Sequence, residues 1–153
     1  MAAEILPAIA GDQNVVADLP VEQMREHRVL SDAQRLRKVV GHVLVDPQRG
    51  YILVAKDDGR LIGVAYAATI LSVEHGGYVA WLEELYVSPS YRGKGVGTAL
   101  LEAVMAQARQ LGLSVIDLEV DVEHRRAESL YRRFGFHSLP RSRWAVALPT
   151  RNQ

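Results

Sequence analysis

Apolar residues recur along the chain with two periods, and the points where the period changes mark the elements. Residues 4–9, Glu4–Ile9, read as a short first strand with Pro7 at an edge. Residues 10–30 are polar and mixed, broken at Gly11, Asp12 and Pro20, with a helix expected around Val21–Arg28. Ser31-Asp32 can cap a helix running to about Leu44, because Leu36, Val39, Val40, Val43 and Leu44 fall on one face. Asp46-Pro47 and Arg49-Gly50 stop it. Residues 51–55 form a strand, Lys56-Asp57-Asp58-Gly59 a hairpin turn, and residues 60–71 the next strand. His75-Gly76-Gly77 turns the chain into a third strand, Tyr78–Val87.

Ser88-Pro89-Ser90 breaks that strand, and a glycine-dense basic segment follows, Arg92-Gly93-Lys94-Gly95-Val96-Gly97. From Thr98 the period becomes helical, through Leu100, Leu101, Val104, Met105, Ala108 and Leu111, and ends at Gly112. Residues 114–122 alternate again, with Ile116, Leu118, Val120 and Val122 opposite Asp117, Glu119 and Asp121. A short helix over roughly 125–134 ends at Gly135, and Phe136–His137 and Ser142–Leu148 read as closing strands. The order of hairpins followed by a strand–helix–strand crossover predicts an α/β (α+β) fold. Its mixed, mostly antiparallel sheet would carry helices on both faces, in a single domain over 1–153.

Composition narrows the partners. Lys+Arg and Asp+Glu are equal at 18 each, which disfavours nucleic acid as the main partner. The 48% hydrophobic content suffices for one core, yet no apolar run approaches the ~20 residues of a membrane span. No cysteine is present, which closes disulfide, thiolate-metal and acyl-cysteine chemistry and fits a reducing compartment. The N-terminus carries no signal-peptide pattern, so a cytoplasmic location is expected. The five histidines lack metal-ligand spacing, and no metal is expected.

A strand, a glycine loop and a helix present free amides and the positive helix end to an anion. Three readings of the loop compete. A phosphate-binding G-x-x-x-x-G-K-[ST] loop fails because Gly95, not Ser or Thr, follows Lys94. A dinucleotide G-x-G-x-x-G fingerprint has Gly93 and Gly95, but Thr98 stands at the third position, although Asp117 lies about one unit downstream. The R/Q-x-x-G-x-G/A pattern of an acetyl-coenzyme A loop is matched fully by Arg92–Gly97.

With its neighbours, this stretch resembles the GCN5-related N-acetyltransferase (GNAT) superfamily. LEELYVSPSYRGKGVGTALLEAV resembles the family's central strand, loop and helix, and AESLYRRFGF (Ala127–Phe136) its second signature, A-x-x-x-Y-x-x-x-G-F. Together they cover about a fifth of the chain. The resemblance implies that the main chain of Leu85 and Val87 holds the pantetheine arm of acetyl-CoA. The amides of Arg92, Gly93, Lys94, Gly95, Val96, Gly97 and Thr98 would hold the pyrophosphate. A nearby N–H would face the thioester oxygen. Tyr131 would protonate the departing coenzyme A thiolate, since a phenol of pKa ~10 can donate to a thiolate whose parent thiol is near ~8.5. Ser129 would add a hydroxyl contact, and His124 stands where the family often has Asn.

Glu83 and Glu84 alternate along the strand and are expected on opposite faces, with Glu83 on the side of Leu85 and Trp81. Relatives that acetylate amines place a base two residues before the Leu85 position, which makes Glu83 the expected base. Glu84 is then a second substrate-side acid and Trp81 a pocket wall. The function implied is acetyl transfer, without a covalent enzyme intermediate, to a primary amine of a small cationic molecule. Glu119 and Asp121 are further acids at the acceptor end. A peptide or protein amine is the alternative acceptor, and a non-catalytic acyl-coenzyme A sensor or a nucleotide-binding regulator the alternative class. The acceptor pocket is expected from residues 10–35, the 70–77 turn and the C-terminal strands. A homodimer is possible, with Trp144 an interface or core residue.

Overall fold

The computed structural model describes residues 3–26, 32–121 and 125–150. They divide into two compact units, Met1–Glu119 and Val120–Gln153. The first unit is built on a five-stranded sheet in the order β1 (Glu4–Pro7), β2 (Gly50–Asp57), β3 (Arg60–Ser72), β4 (Gly77–Val87) and β5 (Ile116–Leu118). The first three pairings are antiparallel and β4 with β5 is parallel. The β2–β3 hairpin turns on two residues, Asp58 and Gly59, at φ 50° and 78°. Two left-handed central residues match the right-handed twist of the flanking strands, as the Asp-Gly pair predicts.

Helices cover both faces. On one, α1 (Gln13–Glu26) and α2 (Ala33–Val45) place Val16, Leu19 and Val43 against Ile52, Val54, Val64 and Tyr86. Asp32 caps α2 by accepting the Gln34 N–H at 2.8 Å, as expected for an aspartate before an amphipathic run. On the other face, α3 (Val96–Gln110) buries Leu100, Leu101, Val104 and Ala108. Gly63 admits this helix closely, since a Cβ there would meet Leu100 Cδ1 at 3.1 Å. Tyr51 fastens it by donating its hydroxyl to the Val104 carbonyl at 2.7 Å. Complete burial of each leucine or valine among them stabilises by roughly 1.5–3 kcal/mol.

Three expectations are corrected. The first helix begins at Gln13, not Val21, and Pro20 lies inside it. Proline removes one helical hydrogen bond, and burial of Val16, Ala17 and Leu19 on the sheet carries the helix regardless. Arg28 and Ser31 fall outside the described residues. Strand β5 keeps three paired residues of the expected nine-residue run, because it leaves β4 after Leu118. In the second unit α4 (Arg125–Arg133) forms as expected and the chain turns at Gly135, φ 91°. Phe136–His137 and Ser142–Leu148 are not strands. The alternation of Ser142–Leu148 survives as exposed Trp144, Val146 and Leu148, with no ladder partner among the described residues.

Candidate active site

The sheet register places the acids. Opposed residues of antiparallel strands share a face. Ile52 faces Tyr66, and Tyr66 faces Glu84, so all three lie on the α1–α2 side. Leu53, Ala65 and Leu85 lie on the α3 side. Between them the register slips: Tyr66 pairs with Glu84 but Ala67 with Leu82, which leaves Glu83 as the extra residue of a β-bulge. A bulge breaks the alternation that the sequence implies. Glu83 and Glu84 therefore do not point to opposite faces, and Glu83 is not on the Leu85 side. Both line one cavity of about 70 Å³, with apolar walls from Val16, Ala17, Val40, Val43, Ile52 and Val64. Trp81, opposite Ala68, stands on the same side of the sheet.

The two carboxylates differ. Glu83 is exposed. Glu84 is mostly buried, and its Oε2 has no hydrogen-bond partner among the described residues. Burial, reinforced by the charge of Glu83, pushes its carboxyl up to about 7. Tyr66 shares the cavity, and its hydroxyl is raised by burial and then by Glu83, with Arg49 acting the other way. Sequence reasoning missed Tyr66; its signal was its place opposite Glu84, which only the register discloses. Of the expected pocket segments, only Val16 and Ala17 from residues 10–35 line a described cavity; the rest of the lining comes from α2, the loop after it, β2, β3 and β4. Glu119 is exposed and lines neither cavity, and Asp121 is an exposed residue of the second unit.

Beyond Glu83 the backbone of β4 leaves main-chain groups unpaired with β3. Ser88 donates its N–H to the Ile62 carbonyl at 2.8 Å, which makes that pair a hydrogen-bonded one. Hydrogen-bonded pairs alternate in an antiparallel ladder. The main-chain groups of Leu85 and Val87 are thereby directed away from β3, to the side that β5 vacates after Leu118. Arg92 closes over this end, donating Nε to the Val87 carbonyl at 3.0 Å, with its guanidinium 5.3 Å from the Tyr86 ring centroid.

The glycine loop then turns at Gly93, φ 75°, and Gly95, φ 84°. Both are left-handed conformations that other residues rarely adopt. Gly95 is the N-cap of α3, and the first helical bond runs from Ala99 N–H to Gly95 O at 3.0 Å. The amides of Val96, Gly97 and Thr98 precede that bond and have no partner within the helix. Arg92, Gly93, Lys94 and Gly95 are exposed. The loop thus offers oriented N–H groups, a helix N-terminus and two cations to a solvent-facing anion, and a diphosphate fits that donor set.

In the second unit Tyr131 packs its ring against the edge of Phe136, 5.7 Å between centroids at 64°. Its carbonyl accepts the N–H groups of Phe134 and Phe136 at 3.0 and 3.1 Å, which ties the helix end to the following turn. Burial raises the Tyr131 hydroxyl above 10. Ser129 is exposed and donates its hydroxyl to the Arg126 carbonyl at 3.1 Å. His124 lies outside the described residues.

Comparison with known proteins gives the family and the fold. The sequence profile described as the acetyltransferase (GNAT) family matches residues 15–136. A mycothiol acetyltransferase of Propionibacterium freudenreichii is 38% identical over 104 residues, 67% of this chain and 33% of that protein. The chain therefore spans about a third of that relative's length. An aminoalkylphosphonate N-acetyltransferase of Salmonella typhimurium is 29% identical over 105 residues, 69% of this chain and 68% of that protein. The fold is similar to that of a possible acetyltransferase from Clostridium difficile 630, with a TM-score of 0.83 at 19% identity, covering 98% of this chain and 100% of that one.

Proposed function

The chain belongs to the acetyltransferase (GNAT) family, and on that premise we propose that it is an acetyl-coenzyme A-dependent N-acetyltransferase acting on a primary amine of a small molecule. The observation that carries the reading is the continuity of β4. One strand holds a carboxylate pair in a cavity, then turned-out main chain at Leu85 and Val87, then the glycine loop.

The amides of the loop and of Val96, Gly97 and Thr98, with Arg92 and Lys94, are assigned to the coenzyme A diphosphate. Leu85 and Val87 are assigned to its pantetheine amides, and His124 and Ser129 remain proposed contacts. Bound acetyl-coenzyme A supplies an acetyl thioester. Glu83 and Glu84 attract the ammonium form of the acceptor, beside Trp81. Glu84 takes the ammonium proton, because a base near 7 is matched to neutral pH. Glu83, exposed at the cavity mouth, supplies the attraction. This divides the labour differently from the expectation that Glu83 is the base, and the bulge is the reason. With its lone pair free, the amine nitrogen forms the C–N bond as the C–S bond breaks. Tyr131 is assigned the proton for the departing sulfur on the strength of the second signature. The nitrogen loses its second proton to solvent as the amide forms, Tyr131 regains one from solvent, and Glu84 releases its own, so one proton is set free per transfer.

The names of the relatives, mycothiol and aminoalkylphosphonate acetyltransferases, support a small acceptor over a protein one. A homodimer is the assembly we propose, from the exposed alternating row in the second unit. The test of the activity is mass detection of acetylated product after incubation with acetyl-coenzyme A and an amine panel. An N-acetyl product carries the reading. Coenzyme A binding without product from any amine indicates a sensor instead.

A further inference from the structure

A second cavity, of about 480 Å³, opens beside the carboxylate cavity and shares Val39, Val43 and Tyr66 with it. Its polar lining has the opposite character: Arg49, His42, Gln48 and Thr69, with no carboxylate among them. Tyr66 stands between the two, feeling the negative charge of Glu83 and the positive charge of Arg49.

Arg49 lies at the cavity rim, its side chain 59% exposed and tethered at one edge. Asp46 Oδ2 pairs with its Nε at 3.2 Å, Asp46 Oδ1 accepts the Gln48 N–H at 3.1 Å, and the Asp46 carbonyl accepts the Arg49 N–H at 3.1 Å. The Arg49 carbonyl in turn accepts the Thr69 N–H at 3.0 Å. Gly50, at φ 146°, lies so close to the Ala67 carbonyl that no Cβ fits, which seats the loop on β3. With Nε engaged, the two terminal nitrogens of Arg49 have no partner among the described residues, and neither do the side chains of His42, Gln48 and Thr69. A guanidinium anchored at one edge presents the other as a planar fork, the geometry that binds carboxylate or phosphonate oxygens in pairs. Asp46 itself does not line the cavity.

We infer that the acceptor is an amine bearing an anionic group at its other end. Its ammonium lies at Glu83 and Glu84, and its carboxylate or phosphonate at Arg49, assisted by Gln48 and His42. The inference rests on the acetyltransferase reading for the identity of the reacting amine, but its binding claim stands apart from turnover. A simple polyamine, cationic at both ends, would place a second ammonium beside Arg49 and is disfavoured.

The experiment compares ω-amino carboxylates and ω-aminoalkylphosphonates of two to six carbons with n-alkylamines and diamines of equal length. It reads kcat/KM from thiol release and, without acetyl-coenzyme A, affinity by calorimetry. At least one anionic amine is expected to exceed its neutral counterpart tenfold or more. Arg49→Gln should collapse that ratio through KM, and Arg49→Lys should retain part of it. Melting curves of both variants report whether they remain folded. Carboxylates preferred over phosphonates, or the reverse, tell which anion the fork fits. Neutral amines or diamines that match the anionic series, or a folded Arg49→Gln protein with an unchanged ratio, overturn the inference and leave the activity standing. Arg49-dependent binding of an anionic amine without thiol release from any amine upholds the inference and removes the activity.

Discussion

Glu84 carries an unusual charge state because three things meet at one atom: apolar walls, a neighbouring carboxylate and an Oε2 with no donor among the described residues. Its carboxyl is raised to about 7 from an ordinary 4.5. Between those values the folded protein holds a proton that the unfolded chain has released. Stability therefore falls as pH rises through this window, by up to about 3 kcal/mol. Glu84→Gln should melt higher than wild type at pH 8, and the difference should vanish below about pH 4.5, where both states of wild type are protonated. Denaturant melts at the two pH values check this, and an equal advantage at both would place the cause in packing. In catalysis the wild-type kcat/KM should rise through about 7 as Glu84 ionises. In Glu84→Gln it should be low at neutral pH and climb toward the amine's own pKa near ~10. Glu83→Gln should act mainly through KM. Should Glu83→Gln instead abolish the limb near 7 while Glu84→Gln keeps it, the two roles are reversed. Tyr131 is the second residue-scale claim. Burial keeps its hydroxyl protonated across the working range, and phenylalanine preserves its edge contact with Phe136. Tyr131→Phe should lower kcat by ~10²–10⁴ with little change in melting temperature. Unaltered turnover would reduce Tyr131 to a packing role.

At the scale of elements, the glycine loop and α3 were readable because each depends on local chemistry. Gly95 sits at φ 84° with no atom within 4 Å of the Cβ position. A substituent there strains the backbone, at a cost of ~1–2 kcal/mol, without crowding the core. Gly95→Val should weaken coenzyme A binding more than tenfold by calorimetry, while circular dichroism keeps the helix held by Leu100 and Val104. Binding at wild-type strength would detach the loop from the diphosphate. The hairpin at Asp58-Gly59 and the Asp32 cap were legible for the same reason. The β-bulge at Glu83 was not, because an inserted residue changes which way every later side chain points while leaving the local composition unchanged. Nor was the cavity around Arg49, since its residues come from α2, the following loop and β3, and only tertiary register collects them.

At the scale of the molecule, the alternation of Ser142–Leu148 was read as a strand, and the structure leaves Trp144, Val146 and Leu148 exposed at 91%, 80% and 77%. Period-two patterning reports a side that seeks cover, not the partner that supplies it. This exposed apolar row is the association surface we propose for the homodimer. Sedimentation should find a dimer that Trp144→Ser with Val146→Ser converts to monomer, whereas a monomeric wild type would remove that surface from the assembly. The five-stranded sheet itself, with α1 and α2 on one face and α3 on the other, follows the order of elements foreseen from periodicity.

The central proposal is direct transfer between two substrates held together, one along β4 and the loop, the other at the carboxylate cavity. The most direct measurement is the initial rate of thiol release as acetyl-coenzyme A and an accepted amine are varied together. Intersecting double-reciprocal lines, with no thiol released when the amine is omitted, are the predicted result. Parallel lines, or a burst of thiol before any amine is added, would require an acetylated enzyme and contradict the account.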